Sequence, residues 1–540
     1  MKTRPSLVRG LSRISPHALA VCAALSPSAG VGCAASTRVV ASPTLGDLRS
    51  AGRDSNDAEV VGRWALAEEL APGGTAEQAA AARKRLDASS VKGAGVWANL
   101  ARGVIDEAHG DPHSAAEGFV GALVEAAADP HEQAPLIAWF AARQLLTLRG
   151  SVSNLFAKHR AILDGLIDSP AHLGWRAVAE LEDWRASEVY ANAEQAPDAY
   201  DKDVVRRMGC AEGVRIAGPF GHGSATDPMR SFDAEKPGPW PPAWAPDPMR
   251  GSTPHVLSVS QTRCLAQADE QVQEGVFYVE SFFATRGERE LLVAVQGAVA
   301  VWIDGVRVLS RGPQEWGSWQ RFGSHVLVED GRHHVVARTM TPITSVRILN
   351  PDGTAAGVAT DGDPSPPTTV VPPVVLADAN PIESIVRAAR SGDSTFAPDP
   401  VVAALAAYAA HVDQMDDVAA TLVMPLVDPE NAAPLALEMA SAFQSADPAF
   451  PEDARAPRAR SLRARALAKD ALLWRARLMA LVDDAGQRGP AEAVESLRAL
   501  VERVPAEPEV LEQLALVYGR LGWHGDRMRA LSSGAATWAG

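Results

Sequence analysis

The sequence contains few cysteines and none of the common short motifs for metal or phosphate binding. Only four cysteines occur in 540 residues, with neither a Cys-x-x-Cys pair nor a Gly-Lys-Ser/Thr phosphate loop. Acidic residues outnumber lysine and arginine by 66 to 51, which gives a net charge of −15. These absences argue against a zinc knuckle, a phosphate-loop nucleotidase and a nucleic-acid-binding protein, which needs a basic surface. We therefore expect no nucleic-acid partner.

The overall composition is that of a folded, water-exposed protein. Hydrophobic residues make up 46% of the chain and charged residues 22%, so each domain can bury an apolar core and wholesale disorder is excluded. At about 150 residues per domain, the length predicts two to four domains.

The N-terminal segment has the three-part pattern of a secretory signal peptide. Lys2, Arg4, Arg9 and Arg13 precede a short apolar run at 18–25, and small residues follow. Eight apolar residues cannot span a bilayer core, which takes about 20, so a membrane anchor is disfavoured. The pattern predicts a signal peptide over 1–32 and export. Small and polar residues predict a flexible tether at 33–57.

The segment Gly30-Val31-Gly32-Cys33 resembles the lipobox of bacterial lipoproteins, in which a small residue precedes the lipidated cysteine. The resemblance implies a lipid anchor at Cys33, although Gly30 stands where that motif usually has leucine. The alternative is ordinary cleavage nearby, which would release a soluble periplasmic protein.

Two cysteines remain after the predicted signal peptide and lipid site are set aside. These are Cys210 and Cys264, an even number that could pair with each other. An exported protein enters a compartment that permits disulfides. We predict a Cys210–Cys264 disulfide, with two buried free thiols as the alternative.

Two stretches show helical spacing, at 58–205 and 382–540. Trp97, Leu100 and Val104 are spaced i, i+3, i+7 in the first stretch, and Leu511, Leu514 and Tyr518 are similarly spaced in the second. Gly and Pro residues interrupt the first stretch at short intervals, which predicts short helices in antiparallel pairs.

Between the helical stretches, the period changes to two. Residues 213–357 contain several runs of aromatic and β-branched residues, and Asp304-Gly305 separates two of them as a tight hairpin turn would. These runs predict an antiparallel β-sandwich. A Pro-rich linker is predicted at 358–381. The expected fold class is α+β and multidomain, with helical segments flanking the sandwich.

Both helical stretches resemble tetratricopeptide repeats. In the last unit, the family's positions are matched by Leu511, Leu514, Ala515, Tyr518 and Gly522. The resemblance implies stacked helix pairs with a concave groove that binds protein, lined here by Glu509, Glu512 and Arg520. The alternative role for these polar residues is to cap the end of the stack.

The β stretch resembles a galactose-binding-like jelly roll. The resemblance rests on the strand-turn-strand at 301–308 and on the leading segment Ile216-Ala217-Gly218-Pro219-Phe220. Such a fold does not by itself define a ligand.

The sequence contains no recognisable catalytic constellation. Adjacent His333 and His334 should point to opposite faces of a strand, so they are not expected to hold one metal ion. We therefore expect a non-enzymatic exported scaffold that binds a protein partner in the cell envelope, with no cofactor or metal. The alternative is a carbohydrate-binding module, because tryptophans in loops can stack on sugar faces; the candidates are Trp240, Trp244, Trp316 and Trp319.

Overall fold

The structure is a computed structural model that describes residues 44–88, 95–128, 133–192, 197–224, 226–236, 238–246, 253–262, 264–268, 275–311, 321–369, 371–378, 399–447, 451–505 and 507–539. The predicted signal peptide at 1–32 and Cys33 lie outside the described residues. The predicted fold class is confirmed, because helices precede and follow antiparallel sheets.

The N-terminal region consists of helices in which neighbours along the chain pack together. Their bounds are α1 (Leu45–Asp54), α2 (Ala58–Leu70), α3 (Ala76–Leu86), α4 (Val96–Ala108), α5 (Pro112–Ala128), α6 (Ala134–Leu148), α7 (Leu155–Asp168), α8 (Gly174–Ala191) and α9 (Pro197–Arg207).

Several of these helices begin where short polar side chains can bind the free backbone N–H groups. Asp57 accepts from the backbone N–H of Glu59 at the start of α2, and Thr75 does the same for Gln78 at the start of α3. The predicted break before Pro112 separates α4 from α5. Local sequence therefore defines where several of these helices begin and end.

The predicted tether at 33–57 needs correction, because α1 occupies Leu45–Asp54. Thr44 and Asp47 form a capping box at its start. Leu48 is buried, and Gly52 lies so close to Trp64 that a side chain would not fit between them. A composition of small residues suggested a flexible chain, but here it allows close packing of one helix on another.

The central region contains antiparallel strands, with two single-turn 3₁₀ helices at Asp227–Met229 and Asp233–Glu235. The strands are β1 (Gly213–Phe220), β2 (His255–Ser260), β3 (Ala266–Gln267), β4 (Val276–Thr285), β5 (Arg289–Gln296), β6 (Ala298–Ile303), β7 (Val306–Ser310), β8 (Arg321–Val328), β9 (Gly331–Thr339), β10 (Ile343–Thr344), β11 (Val346–Leu349), β12 (Ala359–Asp361) and β13 (Val374–Asp378).

Two sheets enclose the core of this β domain. One has the strand order β2-β1-β4-β9-β6-β7, with β12 also paired to β4, and the other has the order β11-β5-β8-β13. Phe283 and Val279 of the first sheet share one apolar cluster with Leu291 and Val326 of the second. The hairpin between β6 and β7 turns at Asp304 and Gly305, and both have positive φ (49° and 79°), as the sequence predicted.

The predicted linker at 358–381 also needs correction, because β12 and β13 add its residues to the sheets. Arg332 of β9 donates to the carbonyl of Pro366 at 2.9 Å and to the carboxylate of Asp361 at 2.5 Å. The backbone N–H of Thr369 donates back to the carbonyl of Arg332 at 2.7 Å. The short strands between prolines were missed because three to five residues give too little alternation to recognise.

The C-terminal region is again helical. Its bounds are α10 (Pro400–Val412), α11 (Asp416–Val427), α12 (Pro434–Ala446), α13 (Glu452–Lys469), α14 (Trp474–Arg488), α15 (Pro490–Arg503), α16 (Pro508–Arg520) and α17 (His524–Ala539).

The two helical regions, which the sequence presented as separate domains, share one apolar core. A single buried cluster extends from Leu48 through α8 and includes α10, α11 and α12. Phe140 of α6 meets Tyr408 of α10 edge to face, with ring centroids 4.8 Å apart. The β domain is therefore inserted between two parts of one helical body.

The shared core yields a test of how the two regions depend on each other. Leu405 in α10 is 1% exposed within this cluster, so Leu405→Ala should lower the free energy of unfolding by about 2–5 kcal/mol. Hydrogen exchange measured by mass spectrometry should then become faster in α2 and α6, which pack against α10.

Leu514→Ala is the matched control. Leu514 belongs to a second cluster formed by α14–α17, so its loss should leave exchange in α2 and α6 near the wild-type rates. Unchanged exchange in α2 and α6 of Leu405→Ala would contradict a shared core.

Candidate functional site

Cys210 and Cys264 are joined in a disulfide whose Cα atoms are 5.5 Å apart. Both residues are buried in a small apolar cluster with Val204 and Met208, around the end of α9. The bridge therefore connects the C-terminal end of the first helical region to the segment between β2 and β3.

We predict that reduction destabilises the attachment of the β domain. The bridge closes a loop with a sequence separation of 54, and the chain-entropy treatment gives about 4 kcal/mol for a loop of this length. Reduction should lower the melting temperature and speed hydrogen exchange in β1, β2 and the end of α9, with little effect on α14–α17.

The double variant Cys210→Ser/Cys264→Ser is the control, because its melting temperature should not respond to reductant. Alkylation that finds both thiols free in protein kept under oxidising conditions would contradict the bridge.

Two of the four tryptophans that were predicted to stack on sugars, Trp240 and Trp244, lie within the described residues. Trp240 is 6% exposed, and its indole N–H donates to the carbonyl of Ala234 at 2.9 Å. It contacts Trp244, which is half-buried and packs against Phe220 with ring centroids 5.0 Å apart. Trp240 is thus a core residue without a free face, which corrects the prediction for this position. Trp316 and Trp319 lie outside the described residues.

The predicted groove residues Glu509, Glu512 and Arg520 lie on the exposed side of α16. Leu516, at the matching helical spacing between them, is 51% exposed. The adjoining α17 carries Met528 and Leu531, which are 61% and 38% exposed. The last helix pair therefore presents large apolar side chains among charged ones.

A cleft of about 670 Å³ lies where α6 and α8 meet the β domain and the end of α10. Six of the charged side chains in its lining form three ion pairs: Arg143 with Glu180 at 3.1 Å, Arg347 with Asp183 at 2.9 Å, and Arg176 with Asp413. Burial lowers the pKa of Arg347 to about 10. The Arg347–Asp183 pair joins β11 to α8, and the Arg176–Asp413 pair joins α8 to the residue that follows α10.

The adjacent histidines lie on opposite sides of β9, as expected. His333 is fully buried, with Nδ1 2.8 Å from a carboxylate oxygen of Asp304. His334 stacks on Phe282, and its Nε2 is 2.7 Å from a carboxylate oxygen of Glu280. Each imidazole thus has its own structural partner.

A different cluster of ionisable groups lies at the junction of the two helical regions. Within the described residues, Glu69, His109 and Asp470 bring one ligand atom each to within 4.8 Å of one another. The Nε2 atom of His109 is 2.8 Å from Oδ2 of Asp470, whose Oδ1 accepts from the backbone N–H of Leu472 at 2.8 Å.

Burial and charge shift the ionisation of all three groups. Burial raises the pKa of Glu69 to about 8. Burial by itself lowers the pKa of His109, but the hydrogen bond to Asp470 and the charge of Glu69 outweigh it and raise that pKa above its usual value. Burial opposes ionisation of Asp470, yet the hydrogen bonds from His109 and Leu472 hold its pKa below the usual value.

No local sequence pattern indicates this cluster, because His109 is 361 residues from Asp470 along the chain and Glu69 is farther still. Each lies at the end of a helix, and only the packing of the helices brings the three side chains together. No local spacing rule applies to such a set.

Comparison with family models, with curated proteins and with solved structures gives no match to this chain. The likenesses to tetratricopeptide repeats and to galactose-binding-like domains remain expectations. In the described part of the chain, no helix has both the length and the apolar character needed to cross a bilayer.

Proposed function

We propose that this protein is a non-enzymatic, exported scaffold that binds a protein partner in the bacterial cell envelope through the helix pair α16–α17. The proposal is supported by the N-terminal pattern of basic, apolar and small residues and by stacked helix pairs that end in an exposed surface. The same proposal includes a lipid anchor at Cys33, which would hold the protein at the membrane.

The observation that carries the proposal is the exposure of large apolar side chains on the last helix pair. Met528 is 61% exposed, Leu516 51%, Trp523 43% and Leu531 38%. The terminal unit of a helical stack usually presents a polar outer face to water. Apolar residues surrounded by charged ones are instead typical of the centre and rim of a protein interface.

The polar residues of α16 would then form part of the rim of that interface. Glu509, Glu512 and Arg520 are exposed on the same side of α16 as Leu516. Rim charges of this kind influence association rate and partner choice more than affinity.

The described candidate tryptophans do not favour the carbohydrate alternative. Among its four candidate tryptophans, Trp240 is buried and Trp244 is half-buried against Phe220. The two candidates that lie within the described residues, Trp240 and Trp244, pack against each other and, for Trp244, against Phe220.

The proposal predicts that charge on the outer face of α17 abolishes partner binding. The double variant Met528→Glu/Leu531→Glu should weaken binding of the partner recovered from envelope extracts by about 30-fold or more, the loss expected for an interface hot spot. The measurement is quantitative co-purification, followed by titration of the recovered partner with the purified chain.

Ile162→Glu is the matched control, because Ile162 of α7 is an apolar residue exposed to a similar extent, at 43%. It should bind the partner as wild type does. Equal binding by all three proteins, or no partner above background, would overturn the proposal.

A further inference from the structure

Three helix ends converge at the cluster of Glu69, His109 and Asp470. Glu69 lies in the last turn of α2, His109 directly follows α4, and Asp470 directly follows α13. The C-terminal end of a helix carries partial negative charge from its unpaired carbonyl groups and so favours a cation. The backbone therefore adds to the negative potential of the two carboxylates.

Glu69 lacks a hydrogen-bond partner although it is buried. Glu69 is 1% exposed, and neither of its carboxylate oxygens has a hydrogen-bond partner. A buried polar group left in this state is costly. Its carboxylate oxygen is one of the three atoms that lie within 4.8 Å of one another, so it is directed at His109 and Asp470.

The neighbouring Glu68 provides a contrast. Its carboxylate binds Arg49 through two hydrogen bonds of 2.6 and 2.7 Å, and accepts from the indole N–H of Trp64 at 2.7 Å. The fold thus satisfies one of two adjacent buried glutamates completely and leaves the other aimed at an imidazole and a second carboxylate.

The charges around the cluster are mainly negative. Glu438 of α12 and Glu68 both add negative potential at Glu69. Two arginines oppose this negative charge. The charge of Arg475, which is paired with Glu107, favours the ionised form of Glu438, and the charge of Arg503 favours the ionised form of Asp470. Neither arginine donates a hydrogen bond to Glu69.

We propose that Glu69, His109 and Asp470 bind one divalent transition-metal ion of the zinc class, and that this ion cross-links the two helical regions. One imidazole nitrogen and two carboxylate oxygens form a ligand set typical of Zn²⁺ and its first-row neighbours. Two ligands come from α2 and the end of α4, and the third comes from the end of α13. The site does not depend on the proposed partner binding.

The geometry also allows an ion to enter. The His109 side chain is 26% exposed, whereas that of Asp470 is 4% exposed. His109 Nε2 and Asp470 Oδ2 now share a hydrogen bond of 2.8 Å, so a tetrahedral ion would replace the shared proton and move the two atoms to about 3.3 Å apart. The hydrogen bond between Leu472 and Asp470 holds the carboxylate in this orientation.

The test is direct metal binding by the purified, untagged chain after treatment with a chelator. Titration with Zn²⁺, followed by calorimetry and by metal analysis after dialysis, should give one ion per chain. Substitution with Co²⁺ should give a visible spectrum of nitrogen and oxygen ligands without thiolate charge-transfer bands. Zn²⁺ should also raise the melting temperature, because an ion that binds only the folded chain stabilises it.

Glu69→Gln and His109→Asn should each weaken Zn²⁺ binding by more than about tenfold. Glu69→Gln replaces a buried carboxyl group that has no hydrogen-bond partner, so the metal-free variant should keep its helicity and melting temperature while losing the shift caused by Zn²⁺. This variant separates loss of the site from loss of the fold.

His411→Asn is the matched control. His411 also pairs with a carboxylate, that of Asp416 at 2.5 Å, but belongs to no three-ligand group among the described residues. Its Zn²⁺ affinity should equal that of wild type. A stoichiometry near zero, equal affinity in all variants, or tighter binding of Ca²⁺ than of Zn²⁺ would each overturn the proposal.

Discussion

The two helical regions depend on one interface, at which α10 packs against α2 and α6 and α12 packs against α2. Leu405, Phe140 and Tyr408 meet there within a single apolar cluster. Because burial of apolar surface is the main favourable contribution to folding, neither region can keep this core from water alone. The chain must leave the helical body, form the β domain and return before the core is complete.

Polar contacts accompany this apolar interface and define its register. The indole N–H of Trp474 donates to the carbonyl of Glu107, and the hydroxyl of Ser151 donates to the carboxylate of Glu507, both at 2.8 Å. Buried charges and polar groups add little net stability, but an incorrect packing would leave them unsatisfied at a considerable cost. Glu69 is an exception, since it is buried without such a partner.

The β domain is held to the helical body by a disulfide, by an ion pair and by an apolar cluster that joins Trp175 of α8 to Leu292 and Leu349. The Cys210–Cys264 bridge acts at the end of α9, whereas Arg347 of β11 reaches Asp183 of α8 through an ion pair. The covalent bond limits how far the domain can separate from the end of α9.

Local sequence determined those features that depend on a few neighbouring residues. The helical spacing around Trp97 and Leu514, the break before Pro112 and the Asp304-Gly305 turn each reflect a conformational preference acting over a few residues. The Cys210–Cys264 pairing also followed from the sequence, because few cysteines remained to be paired.

Features that depend on distant residues were decided only by the tertiary structure. The sequence could not show that the two helical stretches share a core, since an apolar stripe does not reveal which surface covers it. Nor could it show that Trp240 is buried, or that 33–57 and 358–381 contain packed elements. The convergence of Glu69, His109 and Asp470 is the clearest case: three side chains from distant helix ends meet because the helices pack, and no rule of local spacing links them.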